Sequence, residues 1–223
     1  PHIYAENDYD LYLATGFVMA QDRLWQMDLL RRVTQGRLSE IMGRDQSDTD
    51  ILMRALRIEE KSRKVLLHSD QDIVSALNAF SRGVNYYLEN FPLPPEFRIL
   101  GYEPDPWLPE HSLNLIGYMS WDLTSGWDIE LLLHKVNQVV EAGQLADLIP
   151  RNENHSIFVY EEIKNAQINI AENLLYAGRK LEKLGVEIFS GSNNWAVSGK
   201  KSKSGKPLLA NDMHLGLFAP GIW

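Results

Sequence analysis

Cysteine is absent from all 223 residues, which excludes a disulfide framework, a thiolate metal site and a cysteine nucleophile. Long apolar runs are missing too, and nothing approaches the roughly 18 residues that span a bilayer. Positive charge is in deficit. Thirty acidic side chains against 22 basic ones leave a net charge of −8, which repels phosphate backbones and anionic lipid, so neither nucleic acid nor a membrane is an expected partner. The first residues, Pro1-His2-Ile3-Tyr4-Ala5, have neither Met nor a signal-peptide pattern; trimming upstream and a periplasmic or secreted location are expected. What is present suffices for a packed core, with 44% hydrophobic and 10% aromatic residues.

From Tyr9 to Gln35, Leu11, Val18, Trp25 and Leu29 recur at helical spacing, and Gly36 supplies a stop. A second helix is predicted to open with a capping box from Ser69 to Asp72 and to carry Ile73, Leu77, Phe80, Val84 and Tyr87 on one face. Six prolines between Phe91 and Glu110 prevent a continuous helix there and predict a loop. Helical periodicity returns from Glu110 to Val140 and from Val159 to Leu184, with Asp147 to His155 as a polar connector. Asn194 to Ser198 and Pro207 to Ala210 then read as two strands joined by the Lys/Ser/Gly turn Lys200 to Lys206. Two strands alone are marginal in water, so most of their sheet is expected beyond Trp223.

Several motifs fail on spacing. Gly199 to Lys206 resembles a phosphate-binding loop, but its glycines are one residue too far apart and Pro207 stands where a hydroxyl is needed. Ser198 and Lys201 form a Ser-x-x-Lys without partners. Asp45, Asp48 and Asp50 lack the calcium-loop pattern and read as a solvated acidic turn, and the six histidines show no zinc spacing. On spacing alone, Gly191-Ser192 at the entry to a strand is a turn with no general base nearby.

The segment Gly191-Ser192-Asn193-Asn194-Trp195 nevertheless resembles the chain boundary of the penicillin acylase family of N-terminal-nucleophile hydrolases. The likeness extends along the chain in family order. It includes Pro1 to Ala5, Ala20 to Met27, Gly36-Arg37-Leu38-Ser39-Glu40, Gly101-Tyr102-Glu103-Pro104 with Pro106-Trp107, and Pro207 to Asp212.

The resemblance implies self-cleavage between Gly191 and Ser192, after which Ser192 is the nucleophile and its own α-amino group the base. It implies an α+β fold, the αββα sandwich of these hydrolases. Residues 1–191 would supply the mostly helical first chain with its linker, and residues 192–223 the start of the second chain with the first β-hairpin. His214 falls where family members place a Gln or His that steadies the serine; a capped turn is the other reading. Met119 and Leu123 match helical residues that close the acyl pocket, with helical core as the alternative. Asp122 stands where the penicillin G branch has an Arg for the substrate carboxylate. In Trp127-Asp128-Ile129-Glu130, Glu130 is chosen over Asp128 as one ligand of a structural calcium. No cofactor is implied for catalysis. The oxyanion donors would come from later in the second chain, so these residues alone are expected to be inactive. The implied partners are a heterodimeric second chain and a small amide substrate: a penicillin, a cephalosporin side chain, an acyl-homoserine lactone or another N-acyl compound. The competing reading is an inactive helical binding module of the same family.

Overall fold

In the computed structural model, residues 2–123 and 191–214 are described, together with positions 132, 133, 135, 136, 138–140, 177, 180 and 181. The organising element is α1 (Asp8–Gln35). Asn7 caps it by accepting the Asp10 N–H at 2.9 Å, and Asp8 and Asp10 complement its positive end. It breaks at Arg23, whose φ of −144° is not helical, and it ends at Gly36 in the left-handed region, whose N–H reaches the carbonyls of Arg32 and Val33. A Cβ at Gly36 would stand 2.6 Å from the Asp50 carbonyl, so glycine is needed for space as well as for φ.

Short helices follow: α2 (Ser39–Met42), α3 (Ser47–Leu56) and α4 (Ile58–His68). Next come α5 (Gln71–Asn90), α6 (Pro95–Leu100) and α7 (Pro109–Leu123). The long helix α5 lies where its stripe predicts, with Val84 buried, although Ile73 is half exposed. It lies against α1 at two glycines: a Cβ on Gly16 would fall 2.1 Å from the Phe80 carbonyl oxygen, and one on Gly83 only 2.0 Å from that of Leu13.

Two apolar clusters flank α1. One gathers Leu29, Val33, Leu38, Leu52, Met53, Ile58 and Tyr118. The other gathers Ala20, Leu24, Met27, Val84, Phe97 and Trp107. A strand pair follows, β1 (Gly191–Val197) antiparallel to β2 (Leu208–His214). Ser192 to Ala196 and Leu208 to Asp212 are exposed, which leaves both faces of this ribbon open to further layers.

Several expectations are corrected. The capping box does not form: Asp70, not Ser69, precedes α5, and no side chain caps it. Ser69 instead closes α4, its hydroxyl donating to the Val65 carbonyl at 2.8 Å. The acidic stretch is not a solvated turn, because Asp48 and Asp50 lie on α3 and Asp50 is 5% exposed. Its carboxylate accepts the Leu38 N–H at 2.7 Å and the Ser39 N–H at 2.9 Å, so it caps α2 from a neighbouring helix. The proline-rich stretch holds the six-residue α6, which opens with Pro95 and ends at Gly101. The stretches Val159 to Leu184 and Asp147 to His155 fall almost wholly outside the described residues.

Candidate active site

Gly191 opens β1 and Ser192 follows it. The register pairs Gly191 with His214, Ser192 with Met213 and Asn193 with Asp212. The hairpin therefore carries the backbone of His214, far along the sequence, to the Gly191–Ser192 peptide. The turn that returns the chain is held by Ser202, whose hydroxyl donates to the Lys206 carbonyl at 2.6 Å, and by a 3-10 turn at Gly199–Lys201. Gly205 takes a φ of 73° in the same turn. Ser192 is exposed, which leaves it accessible to solvent.

Met119, Asp122 and Leu123 stand on α7 at spacings of three and four residues and so share one side of the helix. In this chain Met119 and Leu123 are 37% and 48% exposed. Ile116, one turn earlier, is 59% exposed. The opposite side holds the helix down through Tyr118 and Asn114, both fully buried. Asp122 lies at the border, half-buried. Glu130 and Asp128 lie outside the described residues. Among the described residues, no three of His, Cys, Asp or Glu are grouped to hold a metal.

The sequence reading missed a buried ionic network that explains two of the family-like stretches. Asp28, 1% exposed, accepts from Arg31, from Arg32 at 3.1 Å and from the Tyr102 hydroxyl at 2.6 Å. Arg32 continues to Glu40 at 2.9 Å, and Glu40 pairs with Arg37, which reaches Asp105 at 3.1 Å. The Arg37 hydrogen bond holds the Glu40 carboxyl below its ordinary range. Burial, then the hydrogen bond to Asp28, raises the Tyr102 phenol. Asp28 and Arg32 thus link Glu40 of the first stretch to Tyr102 of the second, which gives both a structural part. The Asp28–Tyr102 and Arg37–Asp105 contacts lie 74 and 68 residues apart, so helical spacing gave no signal for these two.

Nearby, His111 is 5% exposed, and its Nδ1 accepts the Leu108 N–H at 3.0 Å. Burial, and then the Arg31 charge, lower its pKa to about 4, so the ring is neutral with its proton on Nε2.

A family described as penicillin amidase matches residues 1–223. The chain is 32% identical over its full length to the acyl-homoserine lactone acylase QuiP of Pseudomonas fluorescens, strain Pf0-1, covering 28% of that protein. It is 33% identical to the penicillin acylase 2 proenzyme of Pseudomonas sp. strain SE83, covering 30% of it. It thus spans less than a third of the length of these relatives. Its fold is similar to that of a thermostable penicillin G acylase from Alcaligenes faecalis, with a TM-score of 0.57 at 23% identity, over 66% of this chain and 83% of that one. The chain belongs to the penicillin amidase family.

Proposed function

We propose that the full-length protein is an acylase that cuts its own backbone between Gly191 and Ser192 and then hydrolyses a small amide through an acyl-Ser192 intermediate. The observation that carries this reading is the Gly191–Ser192 junction itself, at the open end of an exposed hairpin with His214 in register beside it. In the precursor, Ser192 Oγ attacks the Gly191 carbonyl, the C–N bond breaks, and water opens the resulting ester. The freed α-amino group has an ordinary pKa of about 7.7–8.0 and is partly neutral at pH 7, so it can take the proton of Oγ. Before cleavage the same nitrogen is an amide with no basicity, which makes processing the activating step. Oγ then attacks the substrate carbonyl, the amine leaves with a proton, and water releases the carboxylic acid. His214 steadies the serine or its amine.

Met119 and Leu123 would meet the acyl group, and Asp122 disfavours a substrate carboxylate at that end of α7, so the preferred substrates are neutral N-acyl compounds such as acyl-homoserine lactones. The partner is the remainder of the same polypeptide, as a second chain. Glu130 is proposed as one carboxylate of a structural calcium on which no catalytic step depends. A periplasmic or secreted location belongs to the same reading; among the described residues no helix is long and apolar enough to cross a membrane.

Intact mass spectrometry of the full-length protein tests the proposal. Two chains are expected, the second beginning at Ser192, with Ser192→Ala remaining one chain. A wild type that stays uncut and inactive supports the non-enzymatic helical module instead, and a second chain with another first residue refutes the junction.

A further inference from the structure

A groove of about 330 Å³ opens where α1, α4, α7 and the proline-rich loop meet, and its lining includes no residue of the hairpin and neither Met119, Asp122 nor Leu123. Its lining holds three guanidiniums, Arg31, Arg37 and Arg63, and three carboxylates, Glu59, Asp105 and Glu110. The charges therefore balance. Arg63 is tied to Glu59, and Arg37 to Asp105 and Glu40.

Two lining residues have buried polar atoms with nothing to bond among the described residues: the Nε–H of Arg31, a residue 3% exposed, and Oε1 of Gln35. Both terminal nitrogens of Arg31 are engaged, one with Asp28 and the other with the carbonyls of Asp105 and Pro106 at 2.8 and 3.2 Å. A buried donor or acceptor left unpaired is destabilising, and such exceptions call for a reason. His111 also lines the groove, and with Nδ1 occupied by the Leu108 N–H its remaining donor is the Nε2–H. Donors from Arg31 and His111 thus border acceptors from Gln35 and Glu110, with Pro106 and Leu108 as an apolar wall. Gln35 follows Arg31 by one helical turn, so donor and acceptor stand side by side.

This pattern suits neither a simple anion, which Glu110 and Gln35 Oε1 would oppose, nor a simple cation, which Arg31 would oppose. We infer that the groove binds a small zwitterion of the α-amino-acid class, its carboxylate held by Arg31 and His111 and its ammonium by Gln35 and Glu110. Pro106 and Leu108 favour an aliphatic side chain. The site is independent of Ser192 and of the proposed acylase chemistry.

Calorimetry on the full-length protein tests this with L-leucine, with 4-methylpentanoate, which lacks the ammonium, and with isopentylamine, which lacks the carboxylate. Leucine is expected to bind with a Kd in the millimolar range or tighter. Each analogue should be at least about tenfold weaker, the ratio for losing one hydrogen-bonded charged contact. Gln35→Leu and Glu110→Gln should each weaken leucine by about the same factor while leaving the melting temperature and anilide hydrolysis unchanged. Ser192→Ala should bind leucine as wild type does. The inference is overturned by equal binding of all three probes, by unchanged leucine affinity in either groove variant, by the absence of saturable heat, or by loss of binding in Ser192→Ala, which would place leucine in the active site.

Discussion

His111 should make the protein's stability depend on pH in a window where few carboxylates titrate. In the folded protein the ring is 5% exposed, accepts the Leu108 N–H at Nδ1 and meets the Trp107 ring edge-on at 5.4 Å. Protonation would put a donor on Nδ1 facing the Leu108 donor and a second positive charge beside Arg31. The folded pKa is therefore about 4, against 6.5 for the free side chain. Between these values the unfolded chain takes a proton that the folded one refuses. Stability is thus fully present above pH 6.5, falls as the pH drops, and levels off near pH 4. The separation corresponds to roughly 3 kcal/mol across the window. His111→Gln keeps an acceptor for Leu108 but cannot titrate. Urea unfolding of the full-length wild type and variant at stepwise pH should give curves whose difference changes by that amount between pH 6.5 and 4, since carboxylate contributions cancel. Parallel curves, or a His111 ring resonance titrating at or above pH 6.5, would refute the reasoning.

Asp28→Asn leaves Arg31 and Arg32 buried without their shared counter-charge and should destabilise by about 3–5 kcal/mol in chemical unfolding. Adding Tyr102→Phe should then have little further effect, and full additivity of the two would show that they do not form one unit. Gly83→Ala puts a Cβ 2.0 Å from the Leu13 carbonyl oxygen; the two helices must part, at about 1–3 kcal/mol or more, and an unchanged melting temperature would show that the crossing is not tight. For the proposed chemistry, His214→Gln should keep most activity and His214→Ala should lower turnover of the processed enzyme; normal kinetics in the alanine variant would return His214 to a purely structural role. Asp122 should give neutral N-acyl amides a higher kcat/KM than penicillin G, through a repulsion of about 1 kcal/mol at 4 Å in water, and Asp122→Arg should narrow the gap. Equal discrimination by both proteins would remove Asp122 from the substrate site.

What was legible in the residues was local or repeated. The first helix could be placed because its apolar period leads to a glycine stop, and the hairpin because two β-favouring stretches flank a Lys/Ser/Gly turn. The family resemblance added the Gly191-Ser192 junction, which spacing alone reads as a turn. Ser69 and Asp72 satisfied a capping pattern that the end of the preceding helix pre-empted by taking the Ser69 hydroxyl. Asp50 looked solvated because nothing in its neighbours' spacing reports that the start of another short helix, twelve residues earlier, needs its carboxylate.

Only the tertiary structure decided which faces are buried and which charges meet. Helical spacing places Met119 and Leu123 on one side of a helix but does not say whether another element covers that side; packing buries Tyr118 and Asn114 instead and leaves the apolar pair exposed. Asp28 and Tyr102 meet across 74 residues because the proline-rich loop folds back over the first helix, a contact that periodicity does not encode. The register that sets His214 opposite Gly191 depends on how many residues the turn absorbs, and backbone hydrogen bonding fixes that number when the two strands pair.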